Sequence, residues 1–266
     1  MNPEDMIAVH DLVKKYGETT AVDHISFRVQ KGEMVAFLGP NGAGKTTTIK
    51  MLTTLLKPTS GEILVNGNNP ANHKNEVRKS FGIVFQDPSL DDDLTALENM
   101  QFHAVLYKVP GTFRRQTIEE MLRFVDLWDR RESLVKTFSG GMKRRLEIAR
   151  ALIHHPKILF LDEPTLGLDP QTRNHMWSYI QTINRNEQMT VFFTTHYMEE
   201  AEKIAQKIAV IDCGKIIANG TPQDLKTQTH TESLEEAFLS LTGKSIREDE
   251  STAMDQMRNM KKLWKR

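Results

Sequence analysis

Hydrophobic and polar positions alternate along residues 7–38 in short stretches, such as ISFRV at residues 25–29. Alternation with a period of two predicts half-buried antiparallel strands. The pattern then changes, because residues 33–38 are almost continuously apolar and lead into a glycine-rich segment. This change predicts a buried central strand. A helix is predicted next, from residue 45 to residue 56, ended by Pro58 and by a turn at Ser60-Gly61.

Apolar residues recur at helical spacing along residues 95–127, which predicts a helical lobe. This lobe lies between a predicted strand at residues 83–86 and Ser139, and a further helix is predicted at 142–153. Beyond it, strand and helix patterns alternate at 158–162, 170–187, 190–195, 198–205 and 207–212. Such alternation is typical of an α/β fold with parallel strands and crossover helices.

Composition limits the kind of protein further. Of the 266 residues, 39% are hydrophobic and 26% are charged, which is enough to build a large globular core. The 35 basic and 35 acidic residues balance, so no overall field favours nucleic acid or an anionic membrane. Cys213 is the only cysteine; we expect it to be a small core residue in a reducing compartment. The N-terminus does not resemble a signal peptide, and the apolar runs are shorter than the ~20 residues of a membrane-spanning helix.

One segment matches the whole phosphate-loop pattern G-x-x-x-x-G-K-[ST]. In this pattern backbone N–H groups and a lysine surround the phosphates, and the hydroxyl group reaches Mg²⁺. A preceding apolar strand and a following helix supply the context that the pattern requires. The predicted phosphate-binding residues are Gly39, Pro40, Asn41, Gly42, Ala43, Gly44, Lys45, Thr46 and Thr47.

Two adjacent carboxylates, Asp162 and Glu163, follow the apolar strand at 158–161. Ligands of α/β proteins bind at the carboxyl ends of strands, and adjacent side chains of a strand point in different directions. We therefore predict different roles, with Asp162 assisting Mg²⁺ and Glu163 polarising the attacking water. A solvent-facing acidic turn is the alternative; the neighbouring PT and GLD segments at 164–169 disfavour it.

A second glycine-rich segment, FSGGM at 138–142, completes the set together with LDEPT at 161–165. These motifs resemble those of ABC (ATP-binding cassette) transporter ATP-binding subunits over roughly residues 5–225, in the order found in that family. The resemblance implies an ATPase domain at residues 1–225, with a P-loop NTPase (RecA-like) core, an N-terminal antiparallel β subdomain and a helical subdomain inserted at about residues 87–155. A helical extension at 226–245 and a charged tail at 246–266 are expected to follow.

The resemblance also implies roles for residues outside the phosphate loop. Tyr16 would stack on adenine, Gln86 would sense Mg²⁺ and water, and His196 would contact the γ-phosphate. Asp169 would link the nucleotide sites of two copies, and the signature segment, Ser139, Gly140 and Gly141, would contact the ATP of the second copy. Catalysis would rest on Glu163, His196 and Lys45, and Mg²⁺ on Thr46, Gln86 and Asp162.

The spelling of the signature segment indicates a subgroup. Phe138 stands where leucine is usual, and Met142 stands where glutamine is usual. SGGM followed by KRRLEIARAL is similar to the daunorubicin-resistance-type exporter ATPases, which work with ABC-2-type membrane subunits. The segments at 46–52, 196–202 and 234–239 agree with that subgroup.

The resemblance implies an ATPase that energises export of a drug-like, lipid or polysaccharide substrate through a separate permease. It would act as a head-to-tail homodimer at the cytoplasmic face of the cell membrane, with ATP and Mg²⁺ and without nucleic acid. A soluble ABC ATPase of DNA repair or translation is the alternative, although the chain has neither a long coiled-coil insertion nor a second cassette. An unrelated P-loop kinase or GTPase would not explain the signature segment. The tail is expected to be solvated, or else to present Met254, Met257, Met260 and Trp264 as an amphipathic stripe.

Overall fold

The computed structural model describes residues 4–243, so the predicted tail at 246–266 lies outside the described residues. Strands and helices alternate along this part of the chain. The strands are β1 (Asp5–Tyr16), β2 (Thr19–Gln30), β3 (Met34–Leu38), β4 (Ser60–Val65), β5 (Phe81–Val84), β6 (Ile158–Asp162), β7 (Thr190–Thr195), β8 (Lys207–Asp212) and β9 (Lys215–Gly220). The helices are α1 (Lys45–Leu52), α2 (Lys74–Ser80), α3 (Ala96–Leu106), α4 (Gly111–Phe124), α5 (Gly140–Leu152), α6 (Pro170–Glu187), α7 (Met198–Ile204), α8 (Pro222–Thr229) and α9 (Leu234–Thr242), with 3₁₀ turns at Trp128–Arg130 and Val135–Thr137.

The strands form two sheets within the described residues. The smaller sheet has the order β2-β1-β4, and both of its pairings are antiparallel. The larger sheet has the order β5-β6-β7-β3-β8-β9; its strands are parallel except for β9. The α/β fold class, with its antiparallel β subdomain, is therefore confirmed.

The central strands are buried on both faces, which explains their continuous apolar sequence. In β6, Phe160 faces a core shared with the antiparallel sheet, whereas Leu159 and Leu161 face the core beneath α6 and α7. Phe37 of β3 and Phe192 of β7 lie on the same side as Phe160, with their ring centres 5.5 Å apart. The large sheet thus separates two hydrophobic cores and is packed on both faces.

The predicted helical lobe has a core of its own, built from α3, α4 and α5. Met100, Leu122 and Leu146 are completely buried there, one from each helix. Helix α5 begins at Gly140 rather than at the predicted residue 142, because the Ser139 hydroxyl caps it by accepting a hydrogen bond from the Met142 N–H.

The structure corrects the predicted end of the first helix. Helix α1 ends at Leu52, because Thr54 adopts a left-handed conformation with φ +66° and the N–H groups of Leu55 and Leu56 both return to the Lys50 carbonyl. Ser60 and Gly61 form no turn. They begin strand β4, which pairs with β1.

Two smaller predictions are also wrong. Strand β5 ends at Val84 instead of residue 86, which places Gln86 on the loop after the strand. Cys213 is exposed and not part of the core. It forms a two-residue hairpin turn with Gly214 between β8 and β9, where both residues have positive φ, as a tight turn of this kind requires.

The last helices pack against the main core. Leu225 of α8 and Leu234, Ala237 and Phe238 of α9 join the cluster beneath the large sheet. Across residues 4–243, every helix is too short or too polar to cross a bilayer.

Candidate active site

Three neighbouring parallel strands end at the same edge of the large sheet. The register pairs Leu38 of β3 with Thr195 of β7, and Asp162 of β6 with Thr194 of β7. The residues that follow these strands therefore meet at the carboxyl edge, where open α/β sheets bind ligands. Gly39, Glu163 and His196 are those residues.

The phosphate loop joins β3 to the N-terminus of α1. Gly44 caps this helix in a left-handed conformation, with φ +104°, and a Cβ atom at this position would lie 2.5 Å from the Ala21 carbonyl oxygen. Only glycine meets both demands. The first N–H groups of α1 have no acceptor inside the helix, so the loop and helix together offer donors and a positive dipole end to an anion.

Lys45 is buried, with 5% of its side chain exposed, and its ammonium group is fully used by the protein. Its Nζ atom donates to the carbonyl oxygens of Gly39 at 2.8 Å and Pro40 at 3.1 Å. It lies 3.1 Å from Oε1 of Glu163. An ammonium has three donors, so each of these contacts occupies one of them.

The second carboxylate oxygen of Glu163 accepts a hydrogen bond from Nδ1 of His196 at 2.9 Å. Burial alone raises the pKa of Glu163, but the hydrogen bond from His196 and the charge of Lys45 together lower that pKa to about 2. Glu163 is thus a carboxylate at neutral pH. We call Lys45, Glu163 and His196 the Lys-Glu-His triad.

Asp162 has different partners from its neighbour. Its Oδ1 atom accepts hydrogen bonds from the hydroxyl groups of Thr194 at 2.6 Å and Thr46 at 3.2 Å, and its side chain is almost completely buried. Thr194 also holds the Glu163 N–H at 2.9 Å through its hydroxyl oxygen. The sequence prediction missed this residue, although a hydroxyl within the apolar run of β7 was a signal for it.

The oxygen atoms of Thr46 and Asp162 suit Mg²⁺. This ion is usually held by one or two protein oxygens together with water and substrate phosphates. Within the described residues, no cluster of three or more histidine, cysteine, aspartate or glutamate side chains offers an all-protein metal site. Gln86 is exposed, and among residues 4–243 it makes no hydrogen bond to Thr46 or Asp162. Its predicted metal role stays a prediction.

Tyr16 lies at the end of β1, half-exposed, with Nζ of Lys14 5.1 Å from its ring centre. It pairs with Thr19 of β2, and that strand continues to Ala21, which touches Gly44. The hairpin that carries Tyr16 therefore lies beside the phosphate loop. Its stacking role also stays a prediction.

The signature residues lie in a different place. Ser139 and Gly140 are exposed at the start of α5, and a Cβ atom on Gly140 would meet nothing within 4 Å. A Cβ atom on Gly141 would lie 2.6 Å from the Thr172 methyl group. Asp169 caps α6 by accepting hydrogen bonds from the N–H of Thr172 at 2.9 Å and from its hydroxyl at 2.6 Å, which also lower the pKa of Asp169.

Signature segment and Asp169 thus form one exposed group around Thr172. Within residues 4–243, no hydrogen bond or ion pair joins Ser139, Gly141 or Asp169 to Lys45. The structure brings together the phosphate loop, the two carboxylates and His196. It does not bring the signature segment to them.

A glycine loop at a helix N-terminus, beside a buried lysine and two carboxylates, defines the class of P-loop nucleotide-binding proteins. The chain belongs to the ABC transporter family, whose model matches residues 22–166.

Individual relatives agree with this assignment. The chain is 41% identical over 242 residues to the linearmycin resistance ATP-binding protein LnrL of Bacillus subtilis (strain 168). The alignment covers 88% of this chain and 78% of that relative. It is 42% identical over 225 residues to the daunorubicin/doxorubicin resistance ATP-binding protein DrrA of Streptomyces peucetius, covering 85% and 68%. These relatives confirm the subgroup that the signature spelling indicated.

Solved structures show the same fold. The ATP-binding subunit of an ABC transporter matches with a TM-score of 0.82 and 30% identity, over 90% of this chain and all of that one. A dimeric ATP-binding cassette in a post-hydrolysis state, bound to ADP and Pi, matches with a TM-score of 0.74 and 28% identity, over 81% and 98%. The chain is accordingly an ABC-family ATPase that hydrolyses ATP to ADP and phosphate to drive transport.

Proposed function

We propose that two copies of this chain bind and hydrolyse ATP between them and thereby drive an exporter whose membrane path is a separate ABC-2-type permease. The observation that carries this proposal is the Lys-Glu-His triad at the carboxyl edge of the sheet, beside a loop that can hold phosphates. This arrangement supports a role for the lysine in holding the phosphates and for the carboxylate in orienting water, both within one chain.

Lys45 is the residue that holds the β- and γ-phosphates. The phosphates compete with Glu163 for its ammonium group, since the protein already uses all three donors. Glu163 then orients the attacking water and accepts its proton. His196 holds Oε2 of Glu163 through Nδ1, and His196 also contacts the γ-phosphate.

Thr46 and Asp162 are the residues that would hold Mg²⁺, with Gln86 as a predicted third contact. When bound, the ion neutralises charge on the β- and γ-phosphate oxygens. The hydroxyl of Thr46 and the carboxylate of Asp162 already lie 3.2 Å apart.

The signature segment faces the ATP of the second copy. A Cβ atom on Gly140 would have open space around it, and Ser139 and Asp169 are both exposed. One matching solved structure is described as a dimeric ABC transporter cassette. In a closed symmetric dimer each chain gives its phosphate loop to one site and its signature segment to the other, so both sites are completed at once.

A groove between the loop after β5 and helix α3 is the proposed contact with the permease. It has a volume of about 460 Å³, and its lining includes Phe85, Phe102, Leu106, Tyr107 and Arg150. Phe102 and Leu106 are each at least 60% exposed. Large apolar side chains left in contact with water favour a helical segment of a partner protein. Association with the cytoplasmic side of a membrane follows from this contact.

Export of drug-like compounds is the proposed task, supported by the names of the linearmycin and daunorubicin/doxorubicin resistance relatives. A lipid or polysaccharide cargo remains within the same proposal, because the permease selects the cargo. ATPase activity stimulated by nucleic acid would instead favour the soluble alternative.

Isolation of the full-length protein from native membranes tests the partnership. We expect one integral membrane protein to be recovered with it, and Leu106→Glu to remove that protein while ATP affinity stays unchanged. Phe113→Glu is the matched control, because Phe113 is equally exposed on α4 but does not line the groove. Recovery of the same membrane protein with Leu106→Glu would exclude this groove as the contact.

A further inference from the structure

Arg144, on the signature helix α5, is a buried arginine that donates to three carbonyl oxygens in two other segments of the chain. Its side chain is 8% exposed, and burial lowers the pKa of its guanidinium. It donates to the carbonyl oxygens of Phe85 at 2.5 Å, Pro164 at 2.6 Å and Glu163 at 3.1 Å. A surface arginine makes no such set of backbone contacts, so the position calls for a specific explanation.

Two of those carbonyl groups belong to a strained piece of backbone. Glu163 adopts a left-handed conformation, with φ +47°. That conformation is unfavourable for a side chain of its kind, and the following Pro164 further restricts Glu163 towards extended conformations. Residues held in this way persist only where their surroundings fix them.

Hydrogen bonds hold the backbone of Glu163 both at its N–H and at the carbonyl groups that follow. Thr194 accepts the hydrogen bond of the Glu163 N–H. Arg144 donates to the Glu163 and Pro164 carbonyl oxygens through Nη2 and Nε, the geometry that a planar guanidinium fork provides and a lysine ammonium does not. The direction of the Glu163 side chain, towards Lys45 and His196, depends on this backbone.

Glu147, one turn further along α5, holds the arginine in place. Its Oε2 atom lies 3.0 Å from Nη1 of Arg144, and its Oε1 atom accepts the Ser89 N–H at 2.8 Å. Arg150 donates to the Ser89 carbonyl oxygen at 2.6 Å. Arg144 and Glu147 together therefore connect the signature helix to the loop at residues 85–89 and to Glu163.

We propose that Arg144 is a positioning residue for hydrolysis: it holds Glu163 in its left-handed conformation and makes the aim of the carboxylate depend on the position of the signature helix. Glu147 keeps the guanidinium in register. This inference rests on the proposed role of Glu163 as the residue that orients water. It concerns the rate of hydrolysis and not the binding of ATP, since among residues 4–243 Arg144 makes no hydrogen bond to the phosphate loop or to Lys45.

The test compares Arg144→Lys with wild type in the full-length chain. We expect kcat to fall about tenfold to a hundredfold, the cost of a misplaced catalytic group, while the affinity for ATP changes by less than about threefold. Thermal unfolding shows whether the variant is folded. Arg145→Lys is the matched control: its guanidinium donates to the Val125 carbonyl oxygen in the helical lobe, away from Glu163, so kcat should stay within about twofold of wild type.

A second variant keeps the inference testable if Arg144→Lys does not fold. Glu147→Gln has the same size and retains an oxygen for the Ser89 N–H, but it leaves Arg144 without its charged partner. We expect a fall in kcat of at least about threefold at unchanged ATP affinity. In the Glu163→Gln background, Arg144→Lys should cause no further loss of turnover, because both changes act on one group.

The outcomes separate the two proposals. If folded Arg144→Lys or Glu147→Gln keeps the wild-type kcat while Glu163→Gln has lost turnover, the positioning role is wrong and the role of Glu163 stands. If ATP affinity falls as much as kcat, Arg144 supports nucleotide binding and the inference is also wrong. Full turnover by Glu163→Gln would instead remove the proposed role of Glu163.

Discussion

The two glycine-rich segments both lie at helix N-termini, yet their surroundings are opposite. The phosphate loop precedes α1 and encloses the buried Lys45, which has a carboxylate partner within the same chain. The signature segment precedes α5 and exposes Ser139 and Gly140, with space in front of them. A helix N-terminus alone does not decide what a segment does. The phosphate loop has its partner groups within one chain, whereas the signature segment is exposed, as the proposed contact with a second copy requires.

The largest effect should come from Glu163→Gln, which removes the charge of the carboxylate beside Lys45 without changing the size of that side chain. Turnover should fall about a hundredfold to ten-thousandfold, the range for loss of a general base, while ATP still binds. An ATP-bound dimer should accumulate, measurable by sedimentation. Glu199→Gln, an exposed position on α7, is the control and should keep full activity. Normal turnover by Glu163→Gln would exclude Glu163 as the residue that activates water, and with it the claim that the phosphate loop has its catalytic partner within its own chain.

Lys45→Ala should have the next largest effect. Loss of a charged hydrogen bond to phosphate weakens ATP binding by about 1.5–3 kcal/mol, which is roughly tenfold to more than a hundredfold. A fluorescent ATP analogue measures the affinity. Lys50→Ala removes an exposed lysine from the same helix and should leave the affinity unchanged. Equal affinities for the two variants would exclude Lys45 from the phosphate site.

Gly140→Ala tests the signature segment. Gly140 is the first residue of α5 and a Cβ atom fits there within the chain, so the variant should fold and gain up to about 1 kcal/mol of stability. Turnover should nevertheless fall about tenfold, because the added methyl group would clash with the ATP of the second copy. A roughly tenfold loss corresponds to a free-energy cost in the range typical of overpacking. The stability and the turnover are measured on the same preparation.

Gly111→Ala is the control for this variant. Gly111 is the first residue of α4 and has equally open space, but it lies in the helical lobe. We expect Gly111→Ala to gain stability as Gly140→Ala does, but to keep the turnover of wild type. Equal turnover for the two glycine variants would mean that nothing packs against Gly140.

Local patterns located most of the residues that meet at the carboxyl edge of the sheet. The phosphate loop is contiguous, and the strands before Gly39, Glu163 and His196 could be recognised from their apolar runs. Because parallel strands end at one edge, the approximate meeting of these residues followed from the fold class. Their actual contacts, such as His196 with Glu163, required the strand order β6-β7-β3.

What the sequence did not predict depended on burial and backbone conformation. Arg144 and Glu147 are charged residues on an amphipathic helix, and sequence alone does not show that they face inward. The end of α1 depends on the left-handed conformation of Thr54. The exposure of Cys213 likewise depends on a turn with positive φ. Such conformations are set by tertiary context, which periodicity does not record.

Reciprocal placement of the two segments across the dimer is tested most directly by crosslinking. Two differently tagged chains, both carrying Cys213→Ser and Glu163→Gln, would bear Asn41→Cys in one and Ser139→Cys in the other, and a short bis-maleimide would be added with or without ATP. The proposal predicts an ATP-dependent link between the differently tagged chains and none between identical chains, because a symmetric dimer places the phosphate loop of each copy against the signature segment of the other. Links between two copies of the same variant, or none with ATP bound, would contradict it.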